Sequence, residues 1–106
     1  MEFQNRVALV TGAGTGIGRS AAEALARAGA KVAVNYSRSR DAAEEVVAQI
    51  RNSGGTAIAV AADVSDEAQV NSMFERVNRE FGRLDILVNN AGWSTRIPHR
   101  EIRRPD

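Results

Sequence analysis

Glycines stand at every second position of Thr11-Gly12-Ala13-Gly14-Thr15-Gly16-Ile17-Gly18. Glycine tolerates the positive φ of a tight turn, and it has no Cβ to hold a ligand off the backbone. It also lets a helix approach a strand closely. The segment follows a continuous apolar run, Val7-Ala8-Leu9-Val10, and leads into a stretch of helical period. A glycine turn in that setting presents unpaired N–H groups at the positive end of a helix, which suits a phosphate or pyrophosphate. The plainer alternative is a glycine-rich turn with no ligand.

Three further groups of residues could face a ligand held there. An acid about 20 residues past such glycines usually takes the two ribose hydroxyls of NAD. That place is occupied by Asn35, followed by Tyr36-Ser37-Arg38 and Arg40. An acid would repel a 2′-phosphate, whereas arginine can meet it with two parallel hydrogen bonds, so NADP is favoured over NAD. Two solvated arginines at a helix start are the competing reading. Asp63-Val64 follows the third apolar run, and Asp63 either accepts the amino group of an adenine or caps the next helix. Asn89-Asn90-Ala91-Gly92 follows the fourth. Ala91 and Gly92 would let a ligand lie against the backbone, and Asn90 bonds either that ligand or a neighbouring loop.

Alternating elements must position these groups. Val7–Val10 reads as a strand buried on both faces, and Lys31–Asn35, Ala57–Ala62 and Leu84–Val88 read as further strands. Between them lie three helical stretches. The first starts at about Ile17, has Ala21, Ala24, Leu25 and Ala28 along one face, and stops at Gly29. The second has Ser39 as its cap and Ala43, Val46, Val47 and Ile50 as its apolar face, and Asn52-Ser53-Gly54-Gly55 breaks it. The third has Ser65 as N-cap and the stripe Val70, Met73, Phe74, Val77, Phe81, with Gly82 closing it. The order βαβαβαβ predicts an α/β fold, a Rossmann-like parallel sheet of order 3-2-1-4 that is one half of a doubly wound fold. Ligands bind such sheets beyond the strand ends where the order reverses, here between the first and fourth strands.

Thr11-Gly-x-x-x-Gly-Ile-Gly18, Asp63-Val64 and Asn89-Asn-Ala-Gly92, in that order, resemble the short-chain dehydrogenase/reductase family. The flavour is similar to 3-oxoacyl-acyl-carrier-protein reductases and related NADP-dependent oxidoreductases, and the resemblance runs over residues 3–92. It implies a nucleotide-binding half-domain over residues 1–92 and an arginine-rich tail over 93–106. In that half-domain Gly12, Thr15, Gly16, Ile17 and Gly18 would cradle the pyrophosphate, and Asn35, Tyr36, Ser37 and Arg38 would surround the adenosine ribose. Asp63 and Val64 would meet the adenine, and Asn90, Ala91 and Gly92 the second ribose region. The resemblance also implies a homo-oligomeric parent enzyme that moves hydride between the cofactor and a small ketone or secondary alcohol.

The family's chemistry relies on a Ser and a Tyr-x-x-x-Lys pair, which this sequence does not contain. The only lysine, Lys31, has Arg27 four places before it, and the only tyrosine, Tyr36, has Arg40 four places after it. Arginine does not shuttle protons near neutral pH. His99, the one histidine, lies in the tail with Trp93, so no catalytic residue is expected here. The sequence therefore reads as the N-terminal, cofactor-binding part of a longer oxidoreductase, itself inactive. A non-catalytic dinucleotide-binding module is the alternative. A methyltransferase using S-adenosylmethionine is a weaker third reading, since Asn35 stands where an acid would hold that ligand's ribose.

Composition narrows the remaining classes. Fourteen basic against thirteen acidic residues leave a charge of +1, which gives no field for nucleic acid or a membrane surface. Cysteine is absent, excluding disulfides, thiolate metal sites and thiol nucleophiles, and no metal site is expected. No apolar run of membrane-spanning length and no signal-peptide pattern occurs, so a cytoplasmic location is expected. Eighteen alanines against five aromatic residues predict a core that packs backbones closely.

Overall fold

The computed structural model describes residues 2–14 and 16–90. Four strands, β1 (Val7–Thr11), β2 (Lys31–Tyr36), β3 (Thr56–Ala61) and β4 (Ile86–Asn89), alternate with α1 (Gly16–Arg27), α2 (Arg40–Asn52) and α3 (Glu67–Phe81). The sheet is parallel with order β3-β2-β1-β4, as the element order predicts. Successive residues of a strand face opposite sides, and the apolar run of β1 divides accordingly. Ala8 and Val10 join the core beneath α1 and α2 with Val32, Val34, Ala43, Val46 and Ile50. Val7 and Leu9 join a second core with Val70, Met73 and Val77 of α3. Every residue of β1 is buried, and a strand covered on both faces needs no polar alternation.

The alanines do what their number suggested. Ala8, Ala13, Ala22, Ala30, Ala43 and Ala57 all lie in the core under α1 and α2, so helix and strand backbones come close there. Of the five-residue stripe on α3, Val70, Met73 and Val77 are buried, while Phe74 and Phe81 pack at the margin of the same core.

Several boundaries move by a residue or two, and two caps differ in kind. Strand β3 begins at Thr56 and ends before Ala62, and β4 begins at Ile86 rather than Leu84. Leu84 is drawn into the core beneath α3, and Asp85 turns back onto Val7. The cap of α3 is Asp66, not Ser65: its carboxylate accepts from Ala68 N and Gln69 N, while the Ser65 hydroxyl donates to Asp63 at 2.6 Å. Ser39 stands at the N-cap of α2 but makes no side-chain cap bond. Gly82 closes α3 with φ 81°, and its N–H donates to Asn78 O at 2.7 Å. Replacing a bonded N-cap residue by alanine costs about 1 kcal/mol. Asp66→Ala is therefore expected to lower the denaturation midpoint clearly, and Ser65→Ala to lower it less, by urea titration of the two variants.

Candidate functional site

The C-terminal ends of the four strands lie along one edge of the sheet, and β1 stands there between β2 and β4. The described residues singled out from the sequence lie at those ends or just beyond them. The two strand neighbours of β1 grip the glycine loop from opposite sides.

On the β4 side the hub is Thr11, fully buried at the last position of β1. Its hydroxyl accepts from Asn90 N at 2.9 Å and has Val88 O and Asn89 Oδ1 as acceptors at 3.4 and 3.3 Å. The Asn90 side chain then donates through Nδ2 to Gly12 O at 3.1 Å. Of the two partners open to Asn90, the structure supplies the neighbouring loop. Thr11 was quoted in the motif but given no task. The available signal was a hydroxyl ending a wholly buried run, since buried polar groups are nearly always paired.

On the β2 side Asn35 is 2% exposed, and its amide is turned into the protein. Oδ1 accepts from Gly12 N at 3.3 Å, and Nδ2 donates to Val60 O and Ala62 O at 3.3 and 3.2 Å. The expected place of Asn35 is beside a ribose; the structure instead buries its side chain, because β2 is covered on both faces and runs one residue further, to Tyr36. Tyr36 is half-exposed, and Ser37 and Arg38 are exposed, so the open surface at the end of β2 begins one residue later than expected.

Within the loop, Gly12 and Gly16 have φ of 60° and 61°. Around Gly16 the space is open among the described residues, none of which beyond its chain neighbours and own helix comes within 4 Å of where a Cβ would be. Gly18 is the opposite case: a Cβ there would overlap the Gly12 carbonyl oxygen and come within 2.6 Å of Asn90 Nδ2. Gly14 is close-packed as well, since its Cβ would lie 3.2 Å from Ala42 Cβ of α2. Ile17, 77% exposed, projects from the first turn of α1. That turn contains no acidic side chain, whereas α2 and α3 carry Asp41 and Glu67 there. The positive end of α1 is thus left without an acidic neighbour on its own helix.

Asp63 is exposed and is not the helix cap, which removes one of its two expected tasks. Its Oδ1 accepts from Ser65 Oγ and Ser65 N at 2.6 and 3.0 Å. The Ser65 hydroxyl bond, then the Ser65 amide, hold this carboxyl below the usual aspartate range, with a smaller contribution from the nearby Arg38 charge. Val64 turns into the core under α3. Arg40 pairs with Glu44 at 3.7 Å, but Arg38 has no carboxylate at ion-pair distance among the described residues. Thr15, Ala91 and Gly92, with the tail that carries Trp93 and His99, lie outside the described residues.

A groove of about 640 Å³ opens at the other end of the sheet, among Arg27, Lys31, Gly54 and Thr56. It shares no residue with the glycine-loop constellation. Among the described residues no three His, Asp or Glu side chains gather as metal ligands, and no helix is long and apolar enough to cross a membrane.

The sequence matches the family model described as short chain dehydrogenase over residues 6–106. The short-chain dehydrogenase/reductase homolog YusS of Bacillus subtilis is 51% identical over 102 residues, covering 96% of this chain and 94% of that protein. Versicolorin reductase 1 of Aspergillus parasiticus is 59% identical over 91 residues, which are 85% of this chain but 34% of that protein. A short chain dehydrogenase from Burkholderia cenocepacia J2315, crystallised in complex with NADP, superposes with a TM-score of 0.84 at 47% identity, over 88% of this chain and 38% of that one. This chain therefore spans nearly all of YusS and little more than a third of the two longer proteins. The glycine loop, the sheet order and these likenesses agree: the chain belongs to the short-chain dehydrogenase family, an oxidoreductase family built on a nucleotide-binding fold.

Proposed function

We propose that these residues bind NADP in preference to NAD, as the cofactor half of an enzyme that interconverts a small ketone and a secondary alcohol. The observation that carries the reading is the loop at the start of α1. Among the described residues it has open space over Gly16, a helix end with no acidic residue in its first turn, and a cradle at Gly18 that a Cβ would fill. A pyrophosphate suits such a place, because backbone N–H groups and the helix dipole both favour negative charge there. Gly12, Thr15, Gly16, Ile17 and Gly18 would hold it. Tyr36, Ser37 and Arg38 would meet the adenosine ribose, Asp63 and Val64 the adenine, and Ala91 and Gly92 the second ribose, with Asn90 fixing the loop beneath. When bound, the cofactor would give hydride to the ketone in its reduced form and take it from the alcohol in its oxidised form.

The preference for NADP is assigned to Arg38, which is exposed at the end of β2 with no ion-pair partner among the described residues. A guanidinium free to fork onto a phosphate is well suited to a 2′-phosphate and has little to offer a bare hydroxyl. The NADP held by the Burkholderia relative supports the choice of cofactor. The 106 residues contain no Tyr-x-x-x-Lys, so the proposal for this chain is binding without turnover.

Calorimetry with NADP, NAD and ADP-ribose tests this reading. Binding of all three, tightest for NADP, is the expected result, with no reduction of any carbonyl by the purified chain. Arg38→Asp is expected to weaken NADP by roughly a hundredfold, by loss of a charge-assisted pair and addition of a repulsive one. NAD should change little. Equal losses for both cofactors would take Arg38 away from the 2′-phosphate, and no binding by folded protein would end the reading.

A further inference from the structure

Gly12 is held at both of its peptide groups by asparagines, one within β2 and one directly after β4. Asn35 accepts from its N–H at 3.3 Å, and Asn90 donates to its carbonyl at 3.1 Å. The main-chain oxygen of Asn35 also accepts from Ala13 N at 3.2 Å, so the first two amides of the loop both end on residue 35.

We propose that Asn35 is a positioning residue that pre-sets the pyrophosphate loop through Gly12 and contacts no part of the nucleotide. The inference rests on the nucleotide reading above and goes further, by separating loop geometry from cofactor choice within a single stretch of sequence.

The chemistry of a primary amide supports it. Asn35 is 2% exposed, and its oxygen and nitrogen both find partners within the protein, so its amide presents no open face to a ligand. One amide orientation alone matches those partners, since the oxygen meets an N–H and the nitrogen meets two carbonyls. No other side chain of this size can do both. An aspartate would set a carboxylate against Val60 O and Ala62 O, and a leucine would leave Gly12 N unpaired in a buried place. The clamp joins β3, β2 and the loop after β1, and Asn90 adds β4. A loop fixed in this way avoids the entropic cost of ordering when the ligand arrives.

Exposure changes abruptly after Asn35. Tyr36 is half-exposed, and the residues from Ser37 to Arg40 are exposed. Discrimination between NADP and NAD therefore belongs to residues 36–38, while residue 35 acts on pyrophosphate affinity for both cofactors alike.

The test uses the whole chain, with NADP, NAD and adenosine 2′-monophosphate as ligands followed by amide NMR. The last ligand carries the 2′-phosphate but no pyrophosphate. At a temperature well below its melting point, Asn35→Ala is expected to lose roughly tenfold in affinity for NADP and NAD together. Adenosine 2′-monophosphate should stay within about twofold of wild type, because the lost bond lies at the other end of the ligand. General destabilisation would spare all three ligands in folded protein, and a direct ribose contact would weaken the monophosphate too; either pattern overturns the proposal. Asn35→Asp keeps an acceptor for Gly12 N, and its NADP-to-NAD ratio should equal that of wild type; a turn toward NAD would overturn the proposal. In ligand-free wild type the Gly12 amide should be protected from hydrogen exchange, and rapid exchange in folded protein would sink the clamp. That measurement stands even where wild type binds none of the ligands, a result that would defeat the nucleotide reading instead.

Discussion

Gly18→Ala is expected to lower stability by about 3 kcal/mol, from overpacking against backbone and loss of a buried hydrogen bond. For a domain of this size that is about 15 °C in melting temperature. A Cβ at residue 18 would collide with the Gly12 carbonyl oxygen and sit 2.6 Å from Asn90 Nδ2. Those two atoms are hydrogen-bonded to each other at 3.1 Å, so the added methyl group enters the seam that ties β4 to the glycine loop. The nearer atom cannot swing away, and the other ends a short side chain already tied to the loop. The carbonyl is backbone, and Asn90 is anchored by its own N–H on Thr11. Gly16→Ala makes the control. Its space is open among the described residues, where the positive φ of 61° is what opposes a side chain, at a cost of about 1 kcal/mol. Thermal melts of the two variants should therefore differ widely. Equal melting temperatures would mean that the loop moves aside for Gly18, and that its glycine is kept for the ligand alone.

The contrast between those two glycines marks what could be read without coordinates. Alternating buried runs and helical stripes were enough to predict the strand order 3-2-1-4, because parallel strands joined by right-handed crossovers leave few arrangements. The location of the glycine loop followed from the same pattern. Division of labour within the loop did not. Gly12, Gly14, Gly16 and Gly18 are equivalent as letters, yet one admits a turn, one packs on Ala42, one faces open space and one lies against a carbonyl. Two of these depend on distant parts of the chain, Ala42 for Gly14 and Asn90 for Gly18.

Asn35 is misread from the sequence for a related reason. Counting from the glycines locates the end of β2 to within a residue, but β2 is covered on both faces and exposure begins only where it ends. An error of one therefore exchanges an exposed side chain for a buried one. The cap of α3 was misread between adjacent residues too, because Ser65 and Asp66 are both good caps and only the competing bond from Ser65 to Asp63 decides between them. Elements are encoded by many residues at once, whereas the aim of a single side chain rests on one.

Asp85→Ala is expected to cost about 2 kcal/mol at neutral pH, chiefly by leaving the Val7 N–H without its acceptor. Asp85 Oδ2 accepts from that N–H at 2.9 Å, and Asp85 N donates to Val7 O at 2.9 Å. The exchange extends the pairing of β4 with β1 by one residue beyond Ala8↔Ile86. Arg83 grips the same carboxylate at 2.8 Å, with Arg6 at 3.8 Å, but both arginines are more than half exposed and contribute little apiece. The Arg83 hydrogen bond, more than any other contact, holds the Asp85 carboxyl below its ordinary range. A carboxyl lowered in the folded chain takes up its proton first in the unfolded one. Its stabilisation is therefore complete above the usual aspartate pKa of about 4 and is lost as pH falls through the lower folded value. Asp85→Asn should accordingly be less stable than wild type at pH 7 and approach it below that range, as read by urea titration at each pH. Asp63, also lowered, is present in both proteins and cancels. A gap between wild type and Asp85→Asn that stays constant on acidification would remove the charge from the account, and an Asp85→Ala chain melting with wild type would remove the clasp. The bond at Val7 matters beyond stability, because β4 has no strand on its outer side among the described residues and is registered by β1 alone. Asp85 fixes one end of that register, and Thr11 with Gly12 receives Asn90 at the other. Loosening Asp85 should therefore raise hydrogen exchange at Asn90 N as well as at Val7 N, carrying a change at the foot of the sheet to the loop at its head.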